Sequence, residues 1–276
     1  MKVICSWGNL GNQIFYSAFE AYLHRMNPKE KVFYFHVPGC PKITVNKCFL
    51  VGEPKQSFFI NILSFVIFYL DLITRKTICK HGLPKRLVCG WNDSLDYHSV
   101  FYSNYLQCKD FYQNLNSSWL QIRMPETISE GYCYFEKLIK ENDSICVHVR
   151  RGDYISTNSS YADLASTDYY ERAIELARNK YPKAPLFFFS DDLDYVKQKY
   201  QYDDSHFVDC NRGEYSYLDI KLMSLARVNI IANSTFSYWG AYMGHENKMV
   251  IAPSRWFSER TGRDAPEIMM NDWIII

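Results

Sequence analysis

Two adjacent arginines lie at the centre of the polar segment His148–Tyr154, which reads HVRRGDY. A guanidinium presents a planar fork of N–H donors that matches the oxygens of a phosphate. Two such groups side by side are costly to hold unless an anion pairs with them. We therefore predict a phosphate site here. An internal salt bridge, for example between Arg151 and Asp153, is the alternative.

A pair of carboxylates, Asp191 and Asp192, follows the apolar run at residues 186–189. A carboxylate at this position could accept hydrogen bonds from the N–H edge of a guanine. Two alternatives stay open. One aspartate could cap the next helix, or Asp192 and Asp194 could form a D-x-D site for a metal diphosphate.

A third polar cluster, residues 233–237 with the sequence NSTFS, follows another apolar run. Hydroxyls and free N–H groups at a helix N-terminus bind anions, although Ser234 or Thr235 could simply cap the helix. Ligands of open α/β sheets bind outside the carboxyl ends of the strands. The placement of all three clusters after predicted strands therefore favours one nucleotide-diphosphate crevice.

The elements that would position these clusters alternate between strand and helix signals after about residue 140. Strands are predicted at residues 144–149, 186–189 and 228–232, with helical periodicity between them. This is the pattern of a doubly wound parallel sheet. Residues 2–26 resemble the start of a similar unit, so we predict domains at residues 1–135 and 136–276.

Composition excludes some classes of protein. The 276 residues carry a net charge of +1, which argues against bulk nucleic-acid binding. The nine cysteines include no C-x-x-C pair and fit neither a zinc ribbon nor a disulfide scaffold. We predict a reducing, cytoplasmic setting. The chain opens on a strand-like run, which predicts no signal peptide.

One long apolar stretch runs from Phe58 to Leu70. It is shorter than a membrane span requires, and Asn61 and Asp71 interrupt or end it. We favour a buried helix. Peripheral contact with a membrane surface or a lipid-linked acceptor is the second interpretation, and a transmembrane helix is the last.

Taken together and in this order, five segments resemble the bacterial α-1,2-fucosyltransferases of glycosyltransferase family 11. They are GNLGNQIFYSA, HVRRGDY, STDYYERAI, FFFSDD and LMSLARVNIIANSTFSYWGAYM. The resemblance implies an α/β fold of the GT-B type, with two Rossmann-like domains facing across a cleft. It implies inverting transfer of fucose from GDP-β-L-fucose to O2 of a galactoside, without a metal or cofactor.

The resemblance also implies roles for individual residues. Arg150 would hold the diphosphate, Arg151 would neutralise the leaving phosphate or brace the loop, and Asp153 is the best candidate for the base. The donor-binding set is Asn12, Gln13, His148, Arg150, Asp191, Asp192, Ser234, Thr235, Phe236 and Ser237. Within it, His148 and one of the two aspartates would face the guanine.

Departures from the family pattern leave alternatives. Asn9 stands where a second glycine is usual, and asparagine tolerates a positive φ better than most residues. Acceptor choice belongs to the variable first half, so an α-1,6 or protein O-linked fucosyltransferase is a rival interpretation. A sugar-nucleotide-binding module without turnover and a metal-dependent enzyme are the others.

Overall fold

The computed structural model describes residues 1–78, 82–90, 95–113, 119–155, 159–244, 248–263 and 265–276. The chain divides into two compact units, Met1–Arg123 and Met124–Ile276. The predicted boundary after residue 135 is therefore wrong. It would cut the helix Glu130–Glu141, which begins at the N-cap Ser129 and packs on a later helix of the second unit.

The first unit is built on a parallel sheet whose described strands run in the order β2-β1-β4-β3. Its strands are β1 Lys2–Ser6, β2 Val32–His36, β3 Val88–Gly90 and β4 Phe101–Ser103. Its helices are α1 Leu10–Met26, α2 Val45–Cys48 and α3 Phe58–Ile73. The strands are mostly buried apolar runs, as expected of a parallel sheet covered by helices.

The turn between β1 and α1 depends on Gly8, not on Asn9. Gly8 has a φ of 87°, and a Cβ at this position would overlap the Asn12 side chain. Asn9 is the N-cap of α1 with extended backbone, at φ −75° and ψ 178°. The tolerance of asparagine for a positive φ is therefore not needed at residue 9, since the positive φ is at Gly8, one residue earlier.

The second unit contains a parallel sheet with the strand order β10-β9-β8-β5-β6-β7. Its strands are β5 Ile145–Val149, β6 Leu186–Ser190, β7 Ser205–Phe207, β8 Val228–Ile230, β9 Met249–Ala252 and β10 Ile274–Ile275. Its helices are α4 Glu130–Glu141, α5 Tyr169–Lys180, α6 Leu193–Lys199, α7 Leu218–Leu225 and α8 Thr235–Tyr242. The predicted α/β class with two Rossmann-like units is confirmed.

The core of the second unit joins the sheet to α5. Ala173, Ile174 and Ala177 recur at helical spacing and are buried against apolar residues of β5 and β6. This packing fixes the central strands, and with them the loops that leave their carboxyl ends.

Helix α3 forms where the sequence predicts it but is not a buried helix. Ser64, Phe68 and Asp71 are its buried residues, whereas most of its apolar side chains are exposed. Composition alone could not reveal this, because a helix that is apolar on nearly every face fits a core or a lipid surface equally well. Within the part of the chain that the structure describes, Phe58–Lys76 is the helical stretch long and apolar enough to cross a membrane.

Candidate active site

The three predicted polar clusters follow three neighbouring strands. Strand β5 pairs with β6 on one side and with β8 on the other, all parallel, so their carboxyl ends share one edge of the sheet. From β5 the chain proceeds to β6 and β7 in one direction, then returns to β8 and continues to β9 in the other. The gap between β5 and β8 is thus the topological switch point, where open α/β sheets bind ligands.

Arg150 follows β5 and is held by two carboxylates. Its Nη2 donates to Asp153 Oδ1 at 2.8 Å, and its Nη1 lies 3.0 Å from Asp191 Oδ2. The guanidinium carbon lies 5.5 Å from the ring centre of Tyr154. The side chain is partly exposed, so the guanidinium is oriented by its partners and still reaches solvent. An internal salt bridge, the alternative interpretation of this segment, is therefore present at Arg150, and it orients the guanidinium at the end of a central strand.

The side chain of Arg151 is more buried than that of Arg150, with exposed fractions of 16% and 27%. Its Nε donates to Asp192 Oδ2 at 3.0 Å, and its guanidinium lies 3.4 Å from the ring centre of Tyr195. Its backbone N–H donates to Asp191 Oδ1 at 2.9 Å. Of the two roles that the sequence left open for Arg151, this geometry favours bracing the loop.

Asp191 and Asp192 are both engaged by the arginine loop. Asp192 also caps α6, because its Oδ1 accepts from the backbone N–H of Tyr195 at 3.2 Å. The capping alternative is therefore confirmed for Asp192. The resemblance implied that one of the two carboxylates faces a guanine. In the structure both carboxylates have protein partners.

Gly152 makes this arrangement possible by its small size. A Cβ at residue 152 would overlap the Asp191 carboxylate, while the backbone of Gly152 has no positive φ. Tyr154, two residues on, donates its hydroxyl to the carbonyl of Asn233 at 3.1 Å. The arginine loop after β5 is thus tied to the cluster after β8.

The third cluster forms the N-terminus of α8. Ser234 is the N-cap, and its hydroxyl oxygen accepts from the backbone N–H of Phe236 at 3.3 Å. The first turn of α8 contains no acidic residue, so the positive end of the helix dipole is not neutralised from within. Thr235 and Phe236 are half-buried and accessible to a ligand.

Two members of this cluster have structural roles. Ser237 is fully buried and donates its hydroxyl to the carbonyl of Ser234 at 3.3 Å, so its predicted contact with the donor is not supported. The Asn233 amide donates to the carbonyls of Ala162 and Trp256 at 2.9 and 2.7 Å. Asn233 therefore fixes two flanking loops around the start of α8.

His148 is buried near the end of β5, and its ring centre lies 5.8 Å from that of Phe236. Burial, and then the neighbouring Arg150 guanidinium, lower the pKa of His148 to about 3. The imidazole is therefore neutral at ordinary pH. Its Nδ1 is buried without a hydrogen-bond partner among the described residues, which is typical of an atom that a ligand or water satisfies.

Asn12 and Gln13 lie in the first unit. The Gln13 carbonyl oxygen accepts from the backbone N–H groups of Thr44 and Val45 at 2.8 and 3.2 Å, and its Nε2 donates to the Lys42 carbonyl at 2.9 Å. Gln13 is buried and holds the start of α2, and its donor contact stays a prediction. Asn12 accepts from Gln107 Nε2 at 3.0 Å.

Tyr154 and Tyr195 contact the two arginines and were not among the predicted site residues. Tyr154 lies within the HVRRGDY segment, and Tyr195 lies three residues after the capping Asp192. That spacing places Tyr195 on the first turn of α6. It is the one signal in the sequence that could have identified Tyr195 as a site residue.

The described residues contain no group of three or more His, Cys, Asp or Glu side chains arranged to hold a metal ion. Asp192, the first residue of the D-x-D triplet, is committed to Arg151 and to the cap of α6. A metal role for Asp192 would require both contacts to be replaced.

Comparison with known proteins identifies the family. Residues 92–276 match the model of the family described as Glycosyl transferase family 11. The chain belongs to this family. It is therefore a glycosyltransferase, and the family predicted from the sequence is confirmed.

Three relatives illustrate the activities of proteins similar to this chain. The O-antigen biosynthesis glycosyltransferase WbnK of Escherichia coli is 28% identical, over 98% of either chain. An alpha-1,2-colitosyltransferase of Escherichia coli is 26% identical over 85% of this glycosyltransferase and 81% of its own length. The mouse (Mus musculus) galactoside 2-alpha-L-fucosyltransferase Sec1 is 24% identical over 56% of this chain and 45% of its own.

Proposed function

We propose that this glycosyltransferase moves L-fucose from GDP-β-L-fucose to O2 of a galactoside, with inversion to an α linkage. The observation that carries the proposal is the oriented guanidinium of Arg150 at the switch point between β5 and β8. The acid-free N-terminus of α8 follows the neighbouring strand. A cation and a helix N-terminus at one sheet edge suit a diphosphate.

In the proposed reaction the acceptor hydroxyl oxygen attacks C1 of the fucose as the bond from C1 to the β-phosphate oxygen breaks. The electron pair of that bond leaves with GDP, and the acceptor proton passes to a base or to water. Arg150 stabilises the charge that builds on the leaving diphosphate. Asp191 contacts the Arg150 guanidinium and accepts from the Arg151 backbone, so it holds the cation before the donor arrives.

The proposal assigns the other residues by their contacts. Thr235 and the cap at Ser234 would bind phosphate oxygens. The neutral ring of His148 would meet the base of the nucleotide through Nδ1. Asp153, paired with Arg150 and 61% exposed, fits a positioning carboxylate better than a base.

Colitose is the second candidate sugar, because a relative that is 26% identical to this chain is an alpha-1,2-colitosyltransferase. Colitose is fucose without its 3-hydroxyl group. Purified protein should be offered both GDP-sugars with a galactose-ended acceptor, and the product linkage determined by NMR. A product with fucose α-linked to O2 is expected. Transfer of colitose alone, transfer to another position, or GDP binding without transfer would each contradict the proposal.

We also propose that the reaction needs no metal and that the enzyme works in the cytoplasm. Arg150 would supply the charge that a divalent ion supplies elsewhere. Transfer should continue at the full rate in EDTA. A rate that falls in EDTA and returns when Mg²⁺ or Mn²⁺ is added would contradict the metal-free proposal.

A further inference from the structure

Helix α3 presents a largely apolar surface to its surroundings. Every exposed residue between Phe58 and Ile73 is aliphatic or aromatic, with Phe59 at 81% exposure. These residues are Phe58, Phe59, Ile62, Leu63, Phe65, Val66, Tyr69, Leu70 and Ile73. Such a contiguous patch marks an interaction surface, since soluble proteins seldom leave one open to water.

The polar residues of α3 are turned the other way. Ser64 and Asp71 are buried. The Asp71 carboxylate accepts from Arg75 Nε at 2.7 Å and from the backbone N–H of Leu83 at 2.8 Å. The usual order of a surface helix is therefore inverted, with polar groups towards the protein and apolar groups away from it.

The inner side of α3 is fixed to the first unit. Phe68 is buried in the apolar cluster beside the sheet, and its ring centre lies 6.0 Å from that of Trp7 and 6.2 Å from that of Phe35. A helix packed in this way along one side cannot also be surrounded by lipid. The contacts fit a helix lying in the plane of a membrane surface and disfavour a span.

The width of the exposed surface favours lipid over a protein partner. At about 100° per residue, the nine exposed residues cover roughly 160° of the helix circumference. No exposed polar residue interrupts this arc. A protein interface has an apolar centre with a polar rim, whereas acyl chains can cover a wide uniform arc.

Charge around the helix indicates the kind of lipid. Described residues 54–78 and 82–87 contain one carboxylate, the buried Asp71, and five basic residues. Those basic residues are Lys55, Arg75, Lys76, Lys85 and Arg86. Arg75 is paired with Asp71, and the other four are exposed. The hydrogen bond from Leu83 to Asp71 brings the segment of Lys85 and Arg86 to the C-terminal end of α3. Basic residues flanking an apolar helix suit anionic headgroups.

We propose that α3 docks the protein on an anionic membrane surface, with its apolar arc among the acyl chains and the four exposed basic residues at the headgroups. The test is flotation of the full chain with vesicles of phosphatidylcholine and phosphatidylglycerol in equal parts, without donor or acceptor. The wild type should float with these vesicles, and less with phosphatidylcholine alone.

The variant Phe59→Glu/Leu63→Glu should partition roughly tenfold or more weakly, because two side chains lose burial in lipid. Its matched control is Met26→Glu/Tyr134→Glu, which changes two exposed apolar residues away from α3 and adds the same charge. The control should float like the wild type. Both variants should keep wild-type GDP affinity, so vesicle binding is judged separately from the proposed transfer activity.

Three results would overturn the proposal. The first is a wild type that floats with neither kind of vesicle. The second is a control variant that loses as much binding as Phe59→Glu/Leu63→Glu. The third is a wild type that floats no better than the α3 variant and forms a dimer in sedimentation, which that variant does not; the surface would then bind a second copy of the chain.

Discussion

In the second unit, charged side chains at the ends of β5 and β6 are drawn partly into the protein and bound to one another. In the first unit, most of the apolar side chains of α3 point away from the protein. Both arrangements cost free energy in water. We propose a different ligand for each region: a donor diphosphate for Arg150, which Asp153 and Asp191 already orient, and a lipid surface for α3. Changes in one region should therefore leave the function of the other intact.

Removing the central cation should give the largest effect. Arg150→Ala should lower the rate of transfer about 10²- to 10³-fold, because the leaving diphosphate loses its preorganised partner. Initial rates with saturating acceptor measure this. Vesicle flotation of the same variant should match that of the wild type. Loss of flotation together with activity would show that the two regions are not separate.

Gly152→Ala should weaken GDP binding about 10- to 100-fold although it removes no charge. The added Cβ displaces the Asp191 carboxylate, which then no longer orients Arg150. Gly52→Ala is the control, since a Cβ there would meet nothing within 4 Å. Calorimetric titration with GDP compares the two variants, and equal affinities would remove Asp191 from its positioning role.

His148 should make folding stability depend on pH. Below about pH 6.5, His148 binds a proton in the unfolded state. It does not bind one in the native state, because its pKa there is about 3. Native stability therefore falls as the pH falls through this window. From about pH 7 to pH 5, the wild type should lose about 2 kcal/mol more unfolding free energy than His148→Gln. Urea unfolding at both pH values measures the difference, and parallel losses would contradict a buried neutral imidazole.

The smallest effect is expected at Asp153. Asp153→Asn keeps an oxygen acceptor for Arg150, so GDP affinity and transfer rate should fall together by about tenfold. A base would behave differently. A rate lower by about 10² to 10⁴ with unchanged GDP affinity would assign proton transfer to Asp153.

Local features of the second unit were predictable from sequence. The runs that form β5, β6 and β8 are mostly apolar, and the caps at Asp192 and Ser234 depend on residues a few positions away. The partners of Arg150 and Arg151 were not predictable from sequence. Asp153 pairs with Arg150, while Arg151 reaches Asp192 across the sheet edge, a choice made by tertiary packing.

The first unit was harder to predict because its decisive contacts are distant in sequence. Gln13 resembles a ligand contact, but its partners lie in the loop at residues 42–45. Helix α3 was recognisable by composition, but which side faces the sheet depends on the buried contacts of Phe68 and Asp71. Periodicity could not supply that orientation, because it would place Ser64 and Asp71 towards solvent, whereas both are buried.

The central claim is that Arg150 holds the diphosphate of the donor in the second unit. GDP titration of the wild type, Arg150→Ala and Arg172→Ala tests it most directly. Arg172 is an exposed arginine of α5 in the same unit, paired with Asp168. Arg150→Ala should bind GDP roughly 30-fold more weakly while remaining folded, and Arg172→Ala should bind like the wild type. Wild-type GDP affinity in a folded Arg150→Ala protein would contradict the claim.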